Sequence, residues 1–187
     1  SLLDVVVPSG VQTIETGTFE NCTSLRYVVI PNSVTYIGQA AFDRCPSLEK
    51  LVIPFIGSKQ GNNGTSDSVF GYIFGTTEFN YTDGTTATKT TQNYSSGKNI
   101  AVYIPSTLKE VYITNETVIG YGAFHNCLTI KKIVIAHNYI STNDYDTEGL
   151  SGYQNIEVVN GMYLDSKEIN SLGLNLPTSK FVTLGEM

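Results

Sequence analysis

Apolar residues return along this chain in one fixed line of positions. Ile14, Ile37 and Ile119 each stand five residues before a phenylalanine: Phe19, Phe42 and Phe124. Three residues later comes a cysteine, Cys22, Cys45 or Cys127. Leu25, Leu48 and Ile130 follow after three more. Val28, Leu51 and Ile133 come next, and two residues beyond them Ile30, Ile53 and Ile135. Pro31 and Pro54 close the first two lines, and Ala136 holds that place in the third. The first two lines lie 23 residues apart, and Leu2, Val5, Val7 and Pro8 carry the same interval back to the start.

A period in the low twenties predicts a repeat solenoid. Each copy is too small to bury its own apolar face, so equivalent side chains must stack into one continuous core. The final spacing of three, then two, suits a turn feeding a short strand whose side chains alternate. "YVVIP" and "KLVIP" are read as such strands, and Val34–Ile37 as a second extended piece. "QAAFDRC" is too short to hold a helix alone, and one or two helical turns pinned by Phe42 are expected there. The prediction is therefore an α/β repeat solenoid, chiefly short β-strands with turns and short helical segments. Each cysteine sits between two apolar anchors. Its expected role is a buried, small hydrophobe that offers a weak donor to a nearby carbonyl.

The beat breaks after Pro54. Residues 55–103 are rich in Gly, Thr, Asn and Ser turn signals, yet they hold "SVFGYIFG" and the further aromatics Phe79, Tyr81, Tyr94 and Tyr103. A structureless loop of this length is unusual in a compact domain, so a folded insert is expected. "EFNYTDGTTATKT" suggests a hairpin around Asp83-Gly84, and "NIAVYIP" a returning strand. The repeat resumes at Leu108, Val111 and Ile113, and degenerates from about residue 137. Ile156, Val158 and Val159 predict one more strand there. The chain as a whole, 1–187, is expected to be a single solenoid piece of a longer polypeptide.

Composition narrows the function more than it identifies it. Charged residues are 15% of the 187 and the net charge is −6, with only 11 Lys and Arg and no basic block. Nucleic acid and anionic membranes are poor partners for such a chain. No apolar run of 18 or more residues exists, so no direct membrane insertion is expected. The overall charge disfavours acidic partners and favours basic ones. The search for chemistry finds no catalytic constellation. His125 falls on the repeat's turn, where Glu20 and Asp43 stand in the other copies. The cysteines have no CxxC or histidine partner to complete a zinc site. Asp144, Asp146 and Glu148 lack the spacing of a calcium loop. No metal, no cofactor and no enzyme activity are expected.

The line "VTYIGQAAFDRCPSLEKLVIP" resembles the BspA-like leucine-rich repeats, also called the Treponema pallidum type. The resemblance is carried by Val34, Ile37, Ala41, Phe42, Cys45, Leu48, Leu51, Ile53 and Pro54. It covers residues 2–54 and 105–136, and "IPFIGS" with "SVFGYIFG" is similar to a segment common in such proteins. The resemblance implies a leucine-rich-repeat right-handed superhelix on a bacterial cell surface or secreted from the cell. It also implies attachment to host proteins or other cells in some members, and no catalytic residues. The expected function is thus non-catalytic binding of an extracellular protein or glycan. A structural spacer and an enzyme with a spatially assembled carboxylate site are the alternatives. Strand residues between the core anchors should point outward and make contact: Tyr27, Val29, Lys50, Val52, Tyr112 and Lys132. Tyr81 and Tyr94, in polar surroundings within the insert, are the other contact candidates.

Overall fold

The computed structural model describes residues 2–78, 87–118, 120, 122–137 and 156–160; for 135–137 and 156–160 only the backbone is described. In chain order the strands are β1 (Asp4–Val6), β2 (Thr13–Ile14), β3 (Tyr27–Val29), β4 (Tyr36–Ile37) and β5 (Lys50–Ile53). A 3-10 helix, Phe70–Phe74, follows. Then come β6 (Ala87–Ser95), β7 (Lys98–Pro105), β8 (Glu110–Ile113), β9 (Lys132–His137) and β10 (Ile156–Asn160). Six of them form one parallel sheet in the order β1-β3-β5-β8-β9-β10. This is a parallel β-solenoid of the leucine-rich-repeat kind.

The register repeats the sequence period. Val5 pairs with Val28, Val28 with Leu51, Leu51 with Val111 and Val111 with Ile133. Stacking identical positions at a strand spacing of about 4.8 Å makes columns of one residue type. Leu25, Leu48, Leu108 and Ile130 form one buried column, and Ile30, Ile53 and Ile113 another. Ile14 and Ile37, from β2 and β4, belong to the same core. Phe19 lies stacked on Phe42 at 5.2 Å between ring centroids. Phe42 then meets Phe74 at 6.3 Å, Phe74 meets Phe70 at 5.3 Å, and Phe70 meets Phe124 at 5.1 Å. Ile119 lies outside the described residues, and Ile135 is described only as backbone within β9.

The helical turns expected around Phe42 are absent: "QAAFDRC" is a run of hydrogen-bonded turns. Backbone geometry explains the difference. Gly17, Ala40 and Gly122 have φ of 67°, 55° and 61°, and Asn21, Arg44 and Asn126 have φ of 61°, 56° and 60°. These are two equivalent positions in each copy. A left-handed residue every four positions stops a right-handed helix from propagating. The turns bond across the rungs instead, as where the Phe19 N–H donates to the Ala41 carbonyl at 2.8 Å. Serine and threonine hydroxyls add a second set of such bonds. Ser47 Oγ donates to the Thr23 carbonyl and Thr107 Oγ1 to the Pro46 carbonyl, both at 2.7 Å.

The insert is not a break in the solenoid. Phe55 and Ile56 are buried in the core, and the Ile37 N–H donates to the Ser58 carbonyl at 2.9 Å. The Phe42 N–H reaches the Ile73 carbonyl at 2.9 Å, so Phe74 takes the rung position of Phe42. One rung is therefore opened and refilled from within. Its hairpin, β6 with β7, is antiparallel and turns at Ser96-Gly97. The Asp83-Gly84 hairpin expected earlier in the chain falls on 79–86, outside the described residues. Gln92 docks the observed hairpin. It is fully buried, its Oε1 accepts from the Gly71 N–H at 2.6 Å, and its Nε2 donates to the Ala123 carbonyl at 2.9 Å.

Two buried polar groups tie separate stretches of the chain together. The Glu116 carboxylate accepts from the backbone N–H groups of Ile56 (2.8 Å), Gly61 (2.8 Å), Thr117 (2.7 Å) and Val118 (3.3 Å). Burial pushes its carboxyl up, and these four amides pull it back part of the way. Cys45 is buried and its Sγ donates to the Phe19 carbonyl at 3.1 Å. Desolvation, then the neighbouring Cys22, pushes its thiol up to about 12.

Three outcomes follow for the fold. Glu116→Gln turns an amide NH2 against backbone donors and should cost about 2 kcal/mol or more, read as a lower denaturant midpoint at unchanged slope. A Cβ at Gly122 would lie 1.9 Å from the Asn93 carbonyl oxygen. Gly122→Ala should therefore cost roughly 2–4 kcal/mol. Gly97→Ala, at the open hairpin tip, should cost only about 1 kcal/mol; equal losses would argue against a tightly docked hairpin. Under native conditions at pH 8, a thiol shifted as far as that of Cys45 is thiolate in only about one molecule in ten thousand. An alkylating reagent should therefore mark half-buried Cys22 first, and Cys45 and Cys127 only on unfolding.

Candidate binding face of the sheet

The alternation of each short strand sends one set of side chains into the core and the next to the outer face. Two outward columns result. One holds Asp4, Tyr27, Lys50, Glu110 and Lys132, and the other Val6, Val29, Val52, Tyr112 and Val134. A third column flanks them at the strand entrances. Arg26, Glu49, Lys109 and Lys131 are joined there as each N–H donates to the carbonyl one rung back.

Charges and rings interlock across these columns. Arg26 makes a two-pronged bond to Glu49, Nε to Oε1 at 3.0 Å and Nη2 to Oε2 at 2.9 Å. Its guanidinium lies 5.2 Å from the Tyr27 ring centre, and the Tyr27 hydroxyl donates to Glu49 at 3.2 Å. Burial first, then the Glu49 charge, pushes the Tyr27 hydroxyl up. Glu49 is held below the usual carboxylate range, chiefly by the Arg26 hydrogen bond. One rung on, Lys50 Nζ pairs with Glu110 at 3.0 Å, and the Tyr112 hydroxyl donates to Glu110 at 3.1 Å. Lys132 Nζ lies 5.4 Å above the Tyr112 ring.

The structure corrects the exposure expected of three of the eight contact candidates. Val29, Val52 and Tyr112 alternate with the core residues, but they are only 1%, 3% and 5% exposed. Each has an equivalent side chain in register on both sides. Val6, at the sheet's first strand with one such neighbour, is 36% exposed. Tyr27 and Lys50 are half-buried and Lys132 is exposed. Tyr94 is half-buried on β6, in the two-stranded sheet that docks on the phenylalanine turns, so it does not join the sheet face. Tyr81 lies outside the described residues, as do Asp144, Asp146 and Glu148. The strand-entrance column of Arg26, Glu49, Lys109 and Lys131 was missed from sequence. Its signal was present, because Arg26 and Glu49 stand one period apart with opposite charge.

Among the described residues no group of three or more His, Cys, Asp and Glu could hold a metal ion, and no helix is long and apolar enough to cross a membrane. His125 is half-buried on its turn.

No curated protein matches the chain. Three solved structures are similar to it. A leucine-rich cell-surface protein from Faecalibacterium prausnitzii A2-165 shares 20% identity over 89% of this chain and 34% of its own, with a TM-score of 0.39. The leucine-rich repeat protein of T. pallidum shares 21% over 72% of this chain and 41% of its own, at 0.28. A leucine-rich-repeat protein from Bacteroides ovatus ATCC 8483 shares 17% over 85% of this chain and 30% of its own, at 0.34. The chain thus spans about a third of the length of the first of these. The profile of the BspA type leucine rich repeat region matches residues 1–112 and 72–149, in six copies. That family is a bacterial cell-surface family of non-catalytic repeats. The repeated Phe, Cys and strand columns and this match over most of the chain agree: the protein belongs to the BspA-type leucine-rich repeat family.

Proposed function

We propose that this module binds an extracellular protein or glycan at the bacterial surface, through the outer face of its parallel sheet. One observation carries the reading. Tyr27, Lys50, Glu110 and Lys132 stand in one in-register column across four successive strands. That column offers a continuous, polar and aromatic surface rather than a closed cavity. Repeat surfaces of this kind bind by area and shape. Tyrosine supplies rigid contact area at little entropic cost.

A second reading, the structural spacer, has its own support. Arg26 is matched by Glu49 and Lys50 by Glu110. The apolar residues of the face are nearly all covered. A surface whose needs are met internally suits a segment that only holds other domains apart.

The two are separated by presenting the chain to an array of host matrix proteins and glycans. The binding reading expects a saturable signal that weakens about tenfold in a Tyr27→Ala, Lys50→Ala variant whose melt stays cooperative. Tyr94→Ala should leave it unchanged. A signal lost with Tyr94→Ala instead moves the site to the hairpin, and no signal at micromolar concentration supports the spacer.

A further inference from the structure

The basic residues of this acidic chain are unevenly placed. Five of its 11 Lys and Arg, namely Arg26, Lys50, Lys109, Lys131 and Lys132, lie in two neighbouring columns of the sheet face. Two of the five are neutralised by Glu49 and Glu110. The other three meet no carboxylate among the described residues. Lys109 Nζ donates to the Ser106 carbonyl, Lys132 Nζ lies over the Tyr112 ring, and Lys131 is exposed. All three fall on the last two rungs before β10. Lys131 stands one rung, about 4.8 Å, beyond Lys109, and beside Lys132.

The field at this end is set by these nearby charges. The net charge of −6 belongs to the whole chain, and charges more than about 8 Å away are largely screened at physiological salt. On the rungs of β8 to β10, Lys109, Lys131 and Lys132 stand beside Glu110, which is already paired with Lys50, and Glu157, whose backbone β10 sets in register with Val134, so these residues together keep a positive balance. Lysine ammonium groups act as hydrated point charges without the fork that reads one planar carboxylate. The apolar residues between and beside them, Val52, Tyr112 and Val134, are 3%, 5% and 6% exposed. A bound peptide would find no side-chain pocket to anchor it. A neutral sugar would find no bare ring to stack on, since Lys132 covers Tyr112. What remains is a short run of cations on a flat sheet, matched by a polymer that carries negative charge along its length.

We propose that the Lys109–Lys131–Lys132 end of the sheet face binds a linear acidic polysaccharide, one bearing carboxylate or sulfate groups along its chain. The inference rests on the binding reading above and names the ligand class for that face. It also reverses the preference for basic partners that the net charge implies.

The test uses the full chain and four probes: polygalacturonate, heparin, poly-glutamate and neutral dextran. Polygalacturonate or heparin should bind at low salt, and the affinity should fall as salt rises through counterion release. The triple variant Lys109→Gln, Lys131→Gln, Lys132→Gln should lose about tenfold or more. Lys89→Gln with Lys98→Gln, exposed on the hairpin, should lose less than about twofold. Lys89, Lys98, Lys131 and Lys132 are exposed and Lys109 is half-buried, so both variants should keep a cooperative melt, and affinities are compared only where they do. Equal losses in the two variants would overturn the site. Poly-glutamate bound as tightly as either polysaccharide would overturn the ligand class in favour of an acidic peptide. No binding of any polyanion would overturn the proposal outright. A host-protein signal from the array that survives the triple variant would leave the broader binding reading standing while this one fails.

Discussion

A rung of this solenoid can bury its apolar side chains only against the rungs beside it. Phe19 has Phe42 for a neighbour, and Phe42 has Phe74. The same dependence holds in every column, from Val28 on Leu51 to Val111 on Ile133. Stability is then a sum of nearest-neighbour interfaces, and any rung left incomplete would open the core on both sides of it. Backbone hydrogen bonds follow the same rule, since the turns are not helices and their N–H groups must reach the next rung.

This constraint explains the insert. Sixty positions separate Leu51 from its partner Val111, against 23 between Val28 and Leu51. The two strands nevertheless pair directly. The extra chain can be accommodated only if something fills the Phe position between Phe42 and Phe124. Phe70 and Phe74 do so, and Gln92 and Glu116 satisfy the backbone groups that an irregular rung leaves behind. Buried polar groups of this kind cost several kcal/mol when unpaired, so the irregular rung is closely specified.

The outer face is governed by the same stacking. Columns one strand apart bring Arg26 to Glu49 and Lys50 to Glu110, and they cover the valines between. Among the described residues, Lys109, Lys131 and Lys132 on the β8 and β9 rungs meet no carboxylate, and the face there is less closely self-matched than at Arg26 and Lys50. Membership of the BspA-type leucine-rich repeat family agrees with a face built from stacked, in-register columns.

Sequence alone determined the period, and with it the stacking of equivalent positions, the phenylalanine and leucine columns, and the kind of repeat. Those features depend only on residues recurring at a fixed interval, which a linear reading can count. The returning strand expected at 99–105 is observed as Lys98–Pro105, and Glu110–Ile113 forms a strand where the repeat is expected to resume. The turn geometry was not legible, because Ala40 and Arg44 take left-handed conformations that their side chains do not favour. Nor were the roles of Gln92 and Glu116, whose partners lie 21 to 60 residues away. Burial of Val29, Val52 and Tyr112 was decided by neighbours above and below in the sheet, while alternation along one strand specified only the side on which they stand. Which charges pair is likewise a property of the stacked columns, since a partner one rung away in space is 23 residues away in the chain for Arg26 and Glu49 and 60 for Lys50 and Glu110.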